Sequence, residues 1–473
     1  MPHIAQPLDQ HSRSHPDRLA LCYNGRSRTY SELYCDVEAM RLTLFAFADE
    51  HFPKGHRVRV GLSLPNQDEL LQAFLAVTSL GWIAAPLNKD WNTAMRSEAL
   101  TTAQIDMVIA DERFPSPLPM VGIKDLRHIS RETSTPLPIA KGEDLFYLGF
   151  TSGSTGSPKS FVRTHQSWTA SMNAASEAFG LDSQDRIYAP GTLSHSLFLF
   201  AAVHTLYIGA TLYLEPSFQS TEVHARLARK EVNVLYGVPT MCEAVAQEAE
   251  ESLDGIKAVI ISGAKWTKRQ IERAKATFPK AELYEFYGAS ELSFITYMSH
   301  KARSWPTTAA GFPFPKVEVQ QQGEEGLLYV RSPYVFSGYV GQEKNMEEWQ
   351  TVHDIGYVTE EGMVHILGRS GNMMIIGGEN VYPEEIEQLV KELEFVDEAV
   401  AVAIPHPYWG NQMVLFATTS RNDFAECKKD IRAHCAARLP VFKRPRRLYF
   451  RDQLPLLPSG KVDRRRLAGA IYA

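Results

Sequence analysis

Residues 146–159 read Phe146-Tyr147-Leu148-Gly149-Phe150-Thr151-Ser152-Gly153-Ser154-Thr155-Gly156-Ser157-Pro158-Lys159. An apolar run suited to a strand passes into a loop with two glycines, five hydroxyls and a terminal lysine. Glycine lets backbone N–H groups curl around an anion, while hydroxyls and an ammonium add further donors. The stretch therefore predicts a phosphate cradle at the end of a strand; its plainer reading is a Ser/Gly-rich surface loop. A Walker A loop is excluded, because Gly must directly precede Lys there and here Pro158 does.

On both sides of this stretch, short apolar or β-branched runs alternate with longer helical patterns. The runs fall at 58–64, 187–189, 210–214, 232–236, 258–261 and 283–287. Between them 164–179 predicts a helix, with Thr164 placed to cap its start and Gly180 to end it. Such alternation implies mostly parallel sheets covered by helices. After about residue 310, short strands with Gly turns dominate at 316–320, 326–331 and 363–367, as in a small β-rich subdomain. A boundary is expected at Gly368-Arg369-Ser370-Gly371-Asn372. Beyond it Pro383 opens a helix with Glu384 and Glu385 in its first turn, where the helix dipole favours acids. Ile386, Leu389, Val390 and Leu393 mark its apolar face. Strands at 399–404 and 413–418 and a helix at 430–439 complete an α+β tail of roughly 100 residues, large enough for its own core. The expected class is α/β: residues 1–369 as a large domain of mostly parallel, helix-covered sheets with a β-rich subdomain, then a small α+β domain over 370–473.

Composition agrees. A chain of 473 residues is too long for one ordinary domain. Its apolar fraction of 44% and charged fraction of 22% argue against disorder. A net charge of −6 gives no reason to expect nucleic acid or an anionic membrane as partner. Cys22, Cys35, Cys242, Cys427 and Cys435 form no CxxC pair, so reduced, mostly buried thiols are expected. The N-terminus lacks an apolar signal core, and no window approaches 18 uninterrupted apolar residues. A cytoplasmic location without a membrane span is the resulting expectation.

The 151–159 loop resembles the phosphate loop of the adenylate-forming superfamily, which holds acyl-CoA synthetases, peptide-synthetase adenylation domains and luciferases. Further motifs of that family follow in order. Tyr287-Gly288-Ala289-Ser290-Glu291 looks like the family's Tyr-Gly-x-Thr-Glu, with Ser in place of Thr. The resemblance implies that Tyr287 stacks on adenine, Ser290 contacts the α-phosphate and Glu291 holds Mg²⁺. Those roles suit a flat ring and a carboxylate oxygen. Ser262-Gly263-Ala264 resembles the opposite wall of the adenine slot. His353-Asp354-Ile355-Gly356-Tyr357 and Gly368-Arg369 resemble the ribose segments, with Asp354 accepting both hydroxyls and Arg369 beside them. The run Gly377-Gly378-Glu379-Asn380-Val381-Tyr382-Pro383-Glu384-Glu385-Ile386-Glu387 resembles the start of the mobile C-terminal lid, Gly377 and Gly378 lying by the thiol tunnel. Leu457-Pro458-Ser459-Gly460-Lys461 resembles the terminal motif whose lysine reaches the substrate carboxylate and α-phosphate. Gly371 stands at the hinge, where the family usually has Asp or Lys.

What the resemblance implies is ATP-dependent activation of a carboxylic acid to an acyl-adenylate, then transfer to a thiol. Thr151, Ser152, Gly153, Ser154, Thr155, Gly156 and Lys159 would cradle the phosphates. Lys461, Ser290 and Glu291 would serve the chemistry, with ATP and Mg²⁺ as cofactors. In amino-acid-activating relatives an aspartate meets the substrate's amine; here Ser196 stands at that place, and no carboxylate lies in 189–204. A fatty or aryl acid is therefore expected, with His195 lining its pocket. Twelve residues follow Lys461 in this sequence, which leads to the expectation of a free acceptor. That acceptor is coenzyme A or, as the alternative, the phosphopantetheine arm of a separate carrier protein. The basic run Lys443, Arg444, Arg446, Arg447, Arg451, Arg464, Arg465 and Arg466 reads either as a seat for such phosphates or as a solvated face. A catalytically dead sensor of the same fold is disfavoured by the intact Lys461, Glu291 and Asp354.

Overall fold

The computed structural model describes residues 3–65, 67–111, 117–127, 137–152, 158–343, 348–376, 379–406, 410–456 and 462–471. Two large sheets dominate it. In the first, the strands Leu19–Tyr23, Thr211–Leu214, Arg186–Tyr188, Val234–Gly237, Ala258–Ile261 and Glu282–Ala289 lie side by side and parallel. Val234–Gly237 and Ala258–Ile261, at its centre, are buried at every position and accordingly almost wholly apolar. The second has a parallel centre of Leu145–Ser152, Ile83–Pro86, Arg59–Ser63 and Met107–Ala110. Every strand expected before residue 290 is present, with ends shifted by at most two residues.

The β-rich segment expected after residue 310 continues the first sheet. Ser293–Ser299 and Ala309–Pro313 carry the pairing over to Val364–Arg369 and Asp354–Val358. The helix His165–Phe179 begins where Thr164 Oγ1 accepts from Ser167 N at 3.2 Å and ends at Gly180, whose φ of 62° is left-handed.

The described residues from 374 on pack around cores of their own, led by Ile386, Val390, Leu415 and Ile431 on one side of their sheet and Val402, Val414 and Phe416 on the other. The helix expected at 430–439 runs over Phe424–Arg438, because Asp423 caps it by accepting from the amides of Ala425 and Glu426. A third strand, Arg447–Phe450, joins Val396–His406 and Gly410–Thr419. Cys242, Cys427 and Cys435 are buried, and burial pushes the Cys435 thiol up to about 11, well away from a reactive thiolate. Among the described residues no helix is long and apolar enough to cross a membrane.

Three histidines are folded into the larger unit. His165 stacks on Phe146 at 4.5 Å and its Nδ1 accepts from Ile4 N, while His204 Nε2 lies 2.8 Å from Ser176 Oγ. Burial lowers His3 to about 4 and His165 and His204 to about 3. Unfolding frees each to bind a proton near its ordinary pKa of about 6.5, so the unfolded chain gains protons that the folded one refuses. Stability should therefore fall as pH drops below about 6.5, by about 1.4 kcal/mol per pH unit for each fully buried ring. Urea midpoints between pH 7 and 4.5 check this. The wild-type curve should be steeper than that of His204→Gln, and parallel curves would show that His204 is not held neutral.

Candidate active site

Parallel strands leave their carboxyl-end loops on one side of a sheet, where ligands of open α/β sheets bind. Three of the sequence-chosen segments sit at such ends: the loop before His195 follows Arg186–Tyr188, Gly263 and Ala264 follow Ala258–Ile261, and Ser290 and Glu291 follow Glu282–Ala289.

The last of these is shaped by a bulge. The pairing of Glu282–Ala289 with Ser293–Ser299 shifts register between Tyr287 and Gly288. A Cβ on Gly288 would stand 2.1 Å from the Ser293 carbonyl oxygen, so only glycine fits this approach. Just before the bulge Tyr287 donates its hydroxyl to Asp354 Oδ2. Asp354 Oδ1 receives Arg369 Nε at 2.8 Å, the two being direct cross-strand partners. Burial, then the Asp354 charge, pushes the Tyr287 phenol well above its usual range and keeps it a donor; the Asp354 carboxylate raises Arg369 further. Three residues chosen on separate motifs thus meet in one chain of contacts.

Glu291 is buried, and its Oε1 accepts from the Tyr339 hydroxyl at 3.2 Å. The Lys159 ammonium lies 5.7 Å from the centre of the same Tyr339 ring. Lys159 pairs with Thr151 across the hairpin of Leu145–Ser152 and Pro158–Thr164. Gly153, Ser154, Thr155 and Gly156 fall between those strands and lie outside the described residues, as do Gly377, Gly378 and Lys461.

Gly263, at φ +88°, and Ala264 are exposed. The loop they belong to is anchored behind by Glu285, which accepts from Trp266 N at 3.1 Å and from the Lys265 ammonium at 3.2 Å, with His300 Nε2 2.8 Å away. Burial alone would raise Glu285, but Lys265 and His300 outweigh it and hold the carboxyl below its usual range.

His195 is solvent-accessible, yet enough protein surrounds it that burial lowers its pKa, with Asp90 opposing. The loop of His195 is pinned by Gln67, whose Oε1 accepts from Leu193 N at 2.9 Å. Ser196 opens the helix Ser196–Tyr207 and pairs with the Tyr147 hydroxyl at 2.8 Å. Phe198, Leu199 and Phe200 are buried core residues.

Gly371 occupies a single 3₁₀ turn, Ser370–Asn372, directly after Arg369, with open space where a Cβ would be. Within the basic run several cations are engaged locally. Lys443 pairs with Glu385 at 2.6 Å, Arg464 with Glu387, and Arg444 donates to the carbonyls of Leu439 and Ala436. The solvated-face reading therefore accounts for these three.

Among the described residues no group of three or more His, Cys, Asp or Glu could form a metal cage. Glu291 is a single buried carboxylate near the Lys159 strand. That donor set fits Mg²⁺, which keeps its waters and binds through one or two carboxylates together with phosphates.

A family model described as "AMP-binding enzyme" matches residues 8–340, and one for the "AMP-binding enzyme C-terminal domain" matches 385–461. The chain is 37% identical over 424 residues to the "Uncharacterized acyl--CoA ligase YhfT" of Bacillus subtilis (strain 168), covering 86% of this chain and 87% of that one. It is 29% identical over 475 residues to the "Putative long chain fatty acid-CoA ligase VraA" of Staphylococcus epidermidis, covering 99% and 98%. In fold it resembles the o-succinylbenzoate coenzyme A synthetase MenE of Bacillus subtilis, solved with ATP and magnesium ion. That likeness has a TM-score of 0.86 at 24% identity over 98% of each chain.

Proposed function

The chain belongs to the AMP-binding enzyme family, and from that premise we propose that it activates a carboxylic acid with ATP and passes the acyl group to coenzyme A. The observation that carries the reading is the contact chain Tyr287–Asp354–Arg369 beside Glu291 and Lys159. It offers a ring for a base, a carboxylate and guanidinium for a ribose, and a carboxylate with an ammonium for phosphates and their metal.

In this reading the obstacle is the approach of two anions, a carboxylate and an α-phosphate. Lys461 neutralises both, and Ser290 donates to the α-phosphate. Lys159 and the loop of Thr151, Ser152, Gly153, Ser154, Thr155 and Gly156 take up charge on the departing pyrophosphate. Mg²⁺ held by Glu291 supplies charge neutralisation between the phosphates when bound. Tyr287, Gly288, Gly263 and Ala264 enclose the base, and Asp354 with Arg369 orients the ribose, so positioning carries most of the rate. Residues 1–369 then form the nucleotide- and acid-binding domain and 370–473 a lid that turns about Gly371. The thiol enters by Gly377 and Gly378. The separate cores beyond residue 374 support that division. Ser196, bonded to Tyr147 where an amine would need an aspartate, supports a fatty or aryl acid, whose pocket His195 would line.

Pyrophosphate exchange into ATP across a panel of acids tests the first step without an acceptor. Exchange is expected with fatty or aryl acids and absent with α-amino acids; exchange driven by an α-amino acid, or by no acid, overturns the reading. Thioester formation should follow with free coenzyme A. Turnover with a phosphopantetheinylated carrier alone would replace coenzyme A as acceptor.

A further inference from the structure

Arg163 has no role in any motif, yet it places a buried cation next to the site. Only 2% of it is exposed, in a strand where Phe161 and Val162 are also buried. Burial lowers the guanidinium to about 10, so it stays charged at neutral pH, and Tyr147 and Glu291 oppose that shift. A buried cation costs several kcal/mol of lost hydration unless its donors are met. Arg163 Nη1 donates to the Ser290 carbonyl at 2.6 Å, and Nη2 donates to the Tyr334 carbonyl. Its Nε has no partner among the described residues.

Those two carbonyls belong to different segments. Ser290 lies in the turn bearing Glu291. Tyr334 lies in the loop whose Phe336 N donates to the Glu291 carbonyl at 2.7 Å and whose Ser337 N donates to Val162 at 2.9 Å. Tyr339, at that loop's end, holds the Glu291 carboxylate. Arg163 therefore stands where three segments converge: the strand leaving the phosphate loop, the Ser290–Glu291 turn and the 332–339 loop. A valine here would fill the same core without a charge, but it would leave both carbonyls unmet.

We propose that Arg163 is a positioning residue, whose guanidinium sets the Ser290–Glu291 turn against the strand that leaves the phosphate loop. The hydroxyl and carboxylate of that turn then meet the nucleotide's phosphates and their metal in register. The inference rests on the nucleotide reading of the site given above. A guanidinium holds two carbonyls in fixed geometry because its donors point from a rigid fork, whereas a lysine ammonium is a point charge on a flexible stem and fixes no such geometry.

Calorimetric binding of ATP to the full chain, with and without Mg²⁺, tests this in the wild type, Arg163→Lys and Arg163→Gln, with adenosine as a phosphate-free control. Mg²⁺ should strengthen ATP binding in the wild type. In both variants that gain should shrink by roughly tenfold or more, while adenosine affinity changes by less than about threefold. Thermal midpoints report the fold. Retention of the full Mg²⁺ gain in the lysine variant overturns the inference, as does a parallel loss for adenosine. If neither variant folds, Arg163 serves stability and the inference also falls. A wild type that binds no ATP removes the nucleotide reading itself, so the two failures are told apart by the unmutated protein.

Discussion

Lys461→Ala should depress pyrophosphate exchange by roughly a hundredfold or more, while transfer from supplied acyl-adenylate to the thiol stays near the wild-type rate. The lysine has work only where two anions are brought together, and removing one electrostatic partner of that kind costs about 3 kcal/mol in the barrier. Lys461 itself lies outside the described residues, but the segments flanking it are well held. Leu456 bridges to Val462, Asp463 N donates to the Pro455 carbonyl at 2.8 Å, and Asp463 caps the helix Arg464–Gly469 by accepting from Arg466 N. An alanine at 461 thus leaves the fold of the C-terminal unit supported. Paired assays of the two half-reactions decide the matter, and an equal fall in both with the thermal midpoint unchanged would remove Lys461 from the adenylation step.

Gly371→Pro is the second large effect. In the 3₁₀ turn Ser370–Asn372 the glycine's φ lies outside the left-handed region, and nothing stands within 4 Å of the position a Cβ would take. Proline fixes φ near roughly −65°, which a 3₁₀ turn accepts. The substitution should therefore be compatible with the φ of this conformation, at some cost to the helical conformation of Ser370 before it, and resist rotation into another. If the lid turns here, one half-reaction is spared and the other suppressed by an order of magnitude or more. The spared step is expected to be adenylation, because the lysine must be in place first. Equal loss in pyrophosphate exchange and in thioester formation from pre-made adenylate would move the hinge elsewhere and redraw the boundary at 369.

Much of this architecture was legible because its signals are local. The run at 258–261 is β-branched and apolar enough to read as a buried parallel strand, the aromatic run at 283–287 has strand-forming residues, and Thr164 and Gly180 frame their helix by cap chemistry alone. The contact of Tyr287 with Asp354 spans 67 positions, yet each partner sits in a motif recognisable by itself. Arg163, Tyr339, Tyr147 and Gln67 were not legible, since each acts through a partner distant in sequence and carries no motif. The helix Tyr30–His51 was also missed, although Thr29 and Glu32 form a capping box that announces it. The early start of Phe424–Arg438 was hidden because its buried face is Cys427, Ile431 and Cys435, where cysteine stands in for larger apolar residues.

The first strand of the large sheet bears on how the chain leaves the ribosome. Leu19–Tyr23 finds its parallel partner in Thr211–Leu214, so roughly 190 residues of translation separate them, on the order of 10–40 s at ordinary elongation rates. Throughout that interval the amino-terminal hairpin carries an apolar strand with one unsatisfied edge, the kind of surface that templates pairing with another chain. In its outer strand Arg26–Thr29, Arg28 is taken up by Asp36 and Asp68, and the exposed charge of Arg26 is left to oppose the approach of identical nascent hairpins crowded on one polysome.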